Sequence, residues 1–536
     1  MVEDKARFDY IVVGAGSSGC VLANRLSASG QHKVLLLEAG GPDTNPWIHI
    51  PLGYGKHFTN KAVNWLYNTT PNPEWVNRPV KQPRGKVLGG SSSINGMVYI
   101  RGHAEDYNHW RQLDNPGWSY EDVLPYFRKA QNQERGEDEF HSVGGPLNVS
   151  DVYEPHPLAD AFIDAAEAAG HPRNNDFNGA DQTGFGYMQW TMRNGRRCSA
   201  AVAYLKPARK RANLFIETRA HSTRLLFDGR RATGIEYVQG GQTKTAHADG
   251  EILVSGGAYN SPQLLQLSGL GPSALLREHG IDVIADMPGV GSNLQDHINA
   301  PLMYRLNRKN WSANQVINSF THRMWTAARY AANRKGWLAM GVSYAGGFFK
   351  VDPEAVSPDI QSQLMMLSTP EVGEMPHPFS GVTIVNALMR PESRGHVNIV
   401  SNDPFTYPDI QPNYLDTQKD REILVGAVKM MREITSQPVF QQYIVEENDP
   451  GKDCQSYDEI LDYLLKRGRT SYHPVSTCKM GNDPMAVVDA RLRVHGFEGL
   501  RVVDCSIMPT LVSGNTNAPA IMIGEKASDM ILEDAR

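Results

Sequence analysis

Gly14, Gly16 and Gly19 stand at G-x-G-x-x-G spacing, and Glu38 follows about twenty residues on. Residues of these types at this spacing can bind a dinucleotide. Gly14 lets the chain turn tightly, Gly16 lets backbone approach a pyrophosphate, and Gly19 lets a helix pack closely on a strand. A carboxylate at Glu38 can accept hydrogen bonds from both ribose hydroxyls, which disfavours a 2′-phosphate there. A different chemistry, proton transfer, needs an imidazole, whose unperturbed pKa of about 6.5 lies near working pH. The chain carries 17 histidines, so residue type alone picks none of them.

The elements around the glycines support the first reading. Tyr10-Ile-Val-Val13 is a β-branched run of the kind a buried parallel strand requires. Val21 to Leu26 carries apolar residues at helical spacing, and Lys33 to Leu37 reads as a second buried strand that ends at Glu38. A helix opening at the glycine turn presents free N–H groups and a positive dipole end to phosphates. This β–turn–α–β unit predicts a dinucleotide site but does not separate FAD from NAD.

Composition bounds the rest. A chain of 536 residues, 40% hydrophobic and 21% charged, is an ordinary globular protein that needs neither disulfides nor metal to fold. A net charge of −5 carries no basic excess for nucleic acid. No apolar run is long enough to span a bilayer, and the first residues lack the apolar stretch and small-residue cleavage site expected of a signal peptide. Five scattered cysteines, without CxxC or a zinc-spaced set, predict no metal site and a reducing cytoplasm. Composition leaves peripheral membrane association open.

A second segment, Arg84-Gly-Lys-Val-Leu-Gly89-Gly90-Ser91-Ser92-Ser93-Ile94-Asn95-Gly96-Met97-Val98-Tyr99, is rich in small residues, free N–H groups and hydroxyls. It suits close backbone approach to a flat polar ring or to phosphates. From Gly85 to Asn108 it resembles the first signature of the glucose–methanol–choline (GMC) oxidoreductases. Gly257 to Gly271 resembles their second, and Pro288 to His297 a further family segment. Ser393-Arg-Gly-His-Val397, Asp403-Pro404, Asn413-Tyr414-Leu415 and the run from His473 to the C-terminus continue the pattern in the family's order. Within the family the chain looks most like choline dehydrogenases and related FAD-dependent alcohol dehydrogenases.

The resemblance implies an α/β fold. A Rossmann-like FAD domain (1–150, 200–300 and 465–536) is interleaved with a substrate domain (151–199 and 301–464) whose antiparallel sheet roofs the flavin. It implies non-covalent FAD, because Ile94 stands where some relatives carry the histidine that bonds to the cofactor. FAD contacts are expected from Gly14, Gly16, Ser17, Ser18, Gly19, Glu38 and Ala39, then from Val87, Gly89, Gly90, Ser91, Asn95, Gly96, Met97 and Val98. Ser222, through its main chain, with Gly256, Asp504, Cys505 and Thr516 complete the set. Trp65 is a weaker candidate, an aromatic in such a segment being more often core than flavin contact.

His473, in Ser471-Tyr472-His473-Pro474, matches the family histidine that faces the flavin, and Asn515, in Ser513-Gly514-Asn515-Thr516-Asn517, matches its partner. Asn515 to Asn517 also have the composition of a helix cap, and Asp504 that of a turn at a strand end. The implied reaction is FAD-dependent oxidation of an alcohol, His473 acting as general base and Asn515 donating to the same oxygen. Electrons would pass to a quinone or another carrier, or to O2 in an oxidase; a non-redox lyase or photoenzyme is the reading from another class. Phe215 to Glu217, Leu225 to Phe227 and Ile252 to Ser255 read as strands of the FAD domain. Thr383 to Leu388 and His396 to Val400 read as strands of the roof. Trp325 to Ala332 and Asp420 to Thr435 read as helices. Tyr344, Phe348, Phe349 and Trp337 are candidate aromatics for a trimethylammonium, without a place in the site.

Overall fold

The computed structural model describes residues 3–341, 343–371 and 373–535. Strand β1 (Ala6–Val13) runs into the glycine turn, helix α1 (Ser17–Leu26) follows, and strand β2 (Val34–Glu38) returns parallel to β1. Ile11, Val12 and the whole of Val34 to Leu37 are buried, as expected of strands covered on both faces. Four more strands extend the sheet: β3 (Leu214–Thr218), β4 (Ala220–Asp228), β5 (Arg231–Gln239) and β6 (Gln242–Val254). The strand order is β3-β2-β1-β6-β5-β4, and β7 (Leu500–Val502) pairs with β6 in parallel. The carboxyl ends of β1, β2, β6 and β7 thus meet at one edge, where doubly wound sheets hold ligands.

A second seven-stranded sheet is antiparallel throughout. Its order is Ile444–Asp449, Ile298–Leu306, Gly381–Leu388, Ile360–Met365, Ser343–Phe349 and Gly184–Tyr187, with Arg469–Thr470 added on Ile298–Leu306. Alternation along its strands splits the side chains. Leu364, Ile384 and Ile360 are fully buried in a core with the helices Pro157–Ala168 and Gln418–Thr435. Gln363, Met365, Thr383 and Val385 turn the other way, into a cavity.

The sheet crosses two of the expected segment limits, since Arg469 and Thr470 pair with Asn299 and Ile298. The strand expected over His396 to Val400 belongs elsewhere. Gly395–Asn398 joins Ser292–Leu294 and Asp409–Gln411 in a separate three-stranded sheet. There Val397 packs with Tyr67, Tyr259, Leu294 and Ile410 rather than in the roof. The segment is a strand, but its local sequence carries no information on which sheet takes it. The helices read at Trp325 and Asp420 are present as Phe320–Asn333 and Gln418–Thr435.

Candidate active site

A single cavity of about 1250 Å³ runs from the turn after β1 to the side chains of His473 and Asn515. Its first end is made of backbone. Gly14 has φ +99°, and a Cβ there would meet the Ser255 carbonyl oxygen at 2.5 Å. A Cβ on Gly90 would come within 2.7 Å of Gly16 Cα. These glycines let three chain segments converge. A Cβ on Gly16 would meet only the Ser255 oxygen, at 3.9 Å, so its open side is the cavity. α1 opens with no side-chain cap, leaving its first N–H groups to whatever occupies that end.

Glu38 lies at the end of β2 and is buried. Its carboxylate accepts from Ala15 N (3.0 Å) and Gly40 N (2.7 Å), which fixes it against the turn while it lines the cavity. Burial pushes its pKa up to about 7; the two N–H bonds and Lys86 pull the other way.

Ser17, Ser18, Ala39, Ser91, Asn95, Gly96, Met97, Val98, Ser222, Gly256, Asp504, Cys505 and Thr516 also line the cavity, as does Trp65. Met97 has φ +67°, a conformation held by its N–H to Asn95 Oδ1 (3.1 Å) and by Thr191 N to its carbonyl (2.8 Å). Gly19, Val87 and Gly89 stand behind the wall. A Cβ on Gly19 would overlap the Gly14 carbonyl oxygen, Val87 is fully buried, and Gly89 N donates to Ala15 O at 2.8 Å. They shape the cradle without facing it.

Asp504 takes the turn role: it accepts from Ser506 N (2.8 Å), Gly257 N (2.8 Å) and Ser261 Oγ (2.6 Å), and it lines the cavity as well. The capping role of the Asn-Thr-Asn loop is not realised. The helix α2 (Asn517–Asp534) begins after Thr516 with no side-chain cap bond. Asn517 instead accepts from Ser17 Oγ at 2.7 Å, tying the starts of α1 and α2 together. Asn515 turns to the other end of the cavity.

There His473 Nε2 lies 3.1 Å from Asn515 Nδ2, and Asn515 Oδ1 accepts from Gln361 Nε2 at 3.1 Å. Gln361 comes from the roof, so the amide is held with its N–H toward the imidazole. The other side of His473 faces a second histidine, His297, at 2.9 Å between Nδ1 atoms. His297 Nε2 is 3.2 Å from the Met389 carbonyl, which can only accept. The His297 proton therefore sits on Nε2 and its Nδ1 accepts. His473 must then donate from Nδ1, which leaves Nε2 unprotonated and accepting from the Asn515 amide (the tautomer follows from the network). Burial drives the His297 pKa down to about 3, so it stays neutral. Burial likewise holds His473 well below the usual imidazole range, with His297 and Arg84 adding to the effect.

The backbone that delivers His473 is strained and clamped. Tyr472 has φ +66°; Thr470 Oγ1 accepts from its N–H at 2.6 Å, and an Arg84 guanidinium N–H donates to its carbonyl at 2.5 Å. His473 N donates to Asp296 Oδ1 at 2.8 Å, and the same carboxylate accepts from Tyr414 and Thr470 hydroxyls, each at 2.5 Å. Asp296, His297 and Gln361, which hold the His473–Asn515 pair in place, were not singled out by the sequence reading. The consecutive acid and imidazole just before the buried strand Ile298–Leu306 were the available signal. Tyr344, Phe348, Phe349 and Trp337 do not line the cavity.

A dinucleotide cradle that opens, through one cavity, onto a neutral imidazole and an oriented amide has the parts of a dinucleotide-dependent oxidoreductase. The comparisons agree. Residues 8–299 and 391–524 match the two GMC oxidoreductase family models, and the chain belongs to the GMC oxidoreductase family. It is 43% identical over 530 residues to an alcohol dehydrogenase [acceptor] of Pseudomonas putida, covering 98% of this chain and 96% of that one. It is 43% identical over 540 residues to the mitochondrial choline dehydrogenase of Homo sapiens, covering 99% and 90%. Among solved structures, pyridoxine 4-oxidase from Mesorbium loti superposes with TM-score 0.88 at 32% identity, covering 97% of this chain and 98% of that one. A formate oxidase does so with TM-score 0.92 at 26% identity, covering 99% of both. The chain is thus an FAD-dependent oxidoreductase of CH–OH donors.

FAD fits the residues present. The glycine cradle is open where a Cβ would intrude, the α1 N–H groups are free for phosphates, and the Glu38 carboxylate faces the same space. That carboxylate gives a pH dependence. Below pH 7 the folded apoprotein increasingly holds Glu38 protonated, and a protonated acid loses an acceptor for ribose hydroxyls. FAD binding by apoprotein is expected to weaken about tenfold between pH 8 and pH 6. A fluorescence titration measures it, and Glu38→Gln should bind weakly with a flat profile over that range.

Proposed function

We propose that this enzyme oxidises a primary alcohol, with His473 taking the hydroxyl proton at Nε2. The observation that carries the reading is the His297–His473–Asn515 chain, which leaves His473 Nε2 unprotonated and accepting only from the Asn515 amide N–H at 3.1 Å. Bound FAD supplies the hydride acceptor. Everything else is work for the protein. His473 accepts the proton, and Asn515 donates an N–H to the oxygen that becomes negative. The new imidazolium and that N–H then face the developing alkoxide together. His473 is a poor cation when alone in this buried place, so its charge is favoured only while the alkoxide is opposite. Electrons leave to a quinone or another carrier; a dehydrogenase reading is supported by the relatives named as such, and an oxidase reading by the two structural neighbours.

The approach to His473 is walled by Met365, Leu367, Val385, Leu338 and Ile317, with Gln363, Thr383, Asn299, Ser343 and Thr369 among its polar points. This wall suits an alcohol on an apolar chain. A second reading, a quaternary ammonium alcohol, has its own observation: Tyr472 and Phe58 rings lie 5.6 Å apart, with Tyr54 6.0 Å from Phe58, and all three line the cavity. An alcohol panel on the purified holoenzyme separates them, with dye reduction and peroxide read in parallel. Linear alkanols are expected to bleach the flavin and reduce dye faster than choline. Failure of every alcohol to bleach it anaerobically would end the alcohol reading and leave a non-redox role.

His297 acts through His473 as a positioning residue. His297→Leu removes the acceptor at Nδ1, so the His473 proton can move to Nε2 and block the base. Turnover is expected to fall roughly 10–100-fold with bound FAD unchanged. His297→Asn, whose amide oxygen can accept, should recover most of the loss. Equal turnover in the leucine variant would remove this role.

A further inference from the structure

The helix Phe320–Asn333 is inside out. Only Thr326 and Tyr330 of its residues are buried. Phe320, Met324, Ala327, Ala328 and Ala331, spaced as one helical stripe, all lie on its exposed side. Phe320 is 69% exposed, Met324 57% and the adjacent Trp325 59%, while Met375, 63% exposed, stands across the cavity mouth. Soluble surfaces rarely gather large apolar side chains in this way without a partner.

The charge around the stripe is one-sided. Between Asp296 and Asp352 the chain has eight lysines and arginines and no aspartate or glutamate, although the whole chain carries −5. Arg308, Lys309, Arg323, Arg334 and Lys335 are exposed there. Arg329 is paired with Glu154. Of the acids on the facing loop, Glu371 is paired with Arg467, and Glu374, exposed on the cavity wall, is a carboxylate set against these five exposed cations. An apolar stripe flanked by cations matches the interface of a bilayer with anionic headgroups. It does not match a second copy, because a two-fold contact would set this cationic segment against itself.

The stripe is also continuous with the active-site cavity. Phe320, Met324, Ala327 and Met375 line its mouth, and Val316, Ile317, Leu338 and Leu367 continue an apolar wall inward. We propose that the helix Phe320–Asn333 lies in the interface of an anionic membrane and opens the cavity toward the acyl chains, so that apolar reactants enter from the lipid. No helix among the described residues is long and apolar enough to cross a membrane, so the contact is interfacial. This holds whichever alcohol is oxidised.

The test is flotation of holoenzyme with vesicles of phosphatidylcholine, with and without phosphatidylglycerol, at low and high salt. Binding to the anionic vesicles, weakened by salt, is expected. Ala328→Glu/Ala331→Glu charges the stripe outside the cavity wall and should weaken vesicle binding about tenfold or more. Flavin absorbance and dye-linked turnover of a water-soluble alcohol should be unchanged in that variant, which shows that it is folded. Absence of binding to anionic vesicles would overturn the proposal, as would equal binding by the variant. A dimer in light scattering that the variant dissociates, without vesicle binding, would assign the stripe to a second copy instead.

Discussion

His473→Ala is expected to lower turnover by about 10²–10⁴-fold while the protein stays yellow. The range is that of general acid–base help, and the geometry gives reason to expect its upper half. Nε2 is the one nitrogen of the pair that is neither protonated nor bonded within the pair, and its lone pair accepts only from the Asn515 amide N–H at 3.1 Å, a bond the substrate hydroxyl can replace. Asn515 would keep its bond to Gln361 and could still donate to the substrate oxygen, so the residual rate measures what the amide alone contributes. FAD content should hold because the cradle at Gly14 and Glu38 lies at the other end of the cavity. The wild-type pH profile follows from the same burial. A buried imidazole with a lowered pKa stays neutral below the ordinary value of about 6.5. Activity is therefore retained as pH falls through 6.5 and is lost only lower, when Nε2 is protonated. Stopped-flow reduction of the flavin by an alcohol reads both quantities. A variant that reduces its flavin at the wild-type rate would remove His473 from the chemistry.

The parts of this site that were legible in the sequence are those specified by local physics. A β-branched run, three glycines at fixed spacing and an acid at the next strand end describe one unit of under forty residues, and no distant contact is needed to read it. His473 and Asn515 could be named only through family resemblance, because proton transfer requires a meeting of segments that local pattern cannot express. The structure adds what neither route contained. His297 acts through a hydrogen bond to the other imidazole, and Gln361 acts from a roof strand by aiming an amide. Both residue types are ordinary in a strand or its approach; the neighbouring Asp296 is a local hint for His297, and Gln361 has none. The misplaced strand at His396 has the same origin: alternation reports that a segment is extended, and only tertiary packing decides which sheet accepts it.

The three glycines of the first turn should fail in three different ways, and this separates fold from cofactor. Gly16→Ala adds a methyl that meets only the Ser255 oxygen at 3.9 Å and otherwise projects into the cavity. The apoprotein should keep its melting temperature, while FAD affinity drops about tenfold or more as backbone is pushed from the pyrophosphate. Gly19→Ala places its methyl on the Gly14 carbonyl, within 3.1 Å of the carbonyl carbon and 3.4 Å of a Val12 methyl. α1 must then move off β1, at an overpacking cost of about 1–3 kcal/mol or more, so both stability and FAD are lost. Gly14→Ala combines a left-handed φ of +99° with a contact of 2.5 Å to Ser255 O, so the turn itself must change and the largest loss is expected there. Calorimetry of the apoproteins and FAD titrations give the two axes. If Gly16→Ala melted as early as Gly19→Ala, the turn would be a packing device and the cradle would lose its meaning as a phosphate site. Stability falling for Gly19→Ala and Gly14→Ala alone is what distinguishes backbone held open for a ligand from backbone held close by a fold.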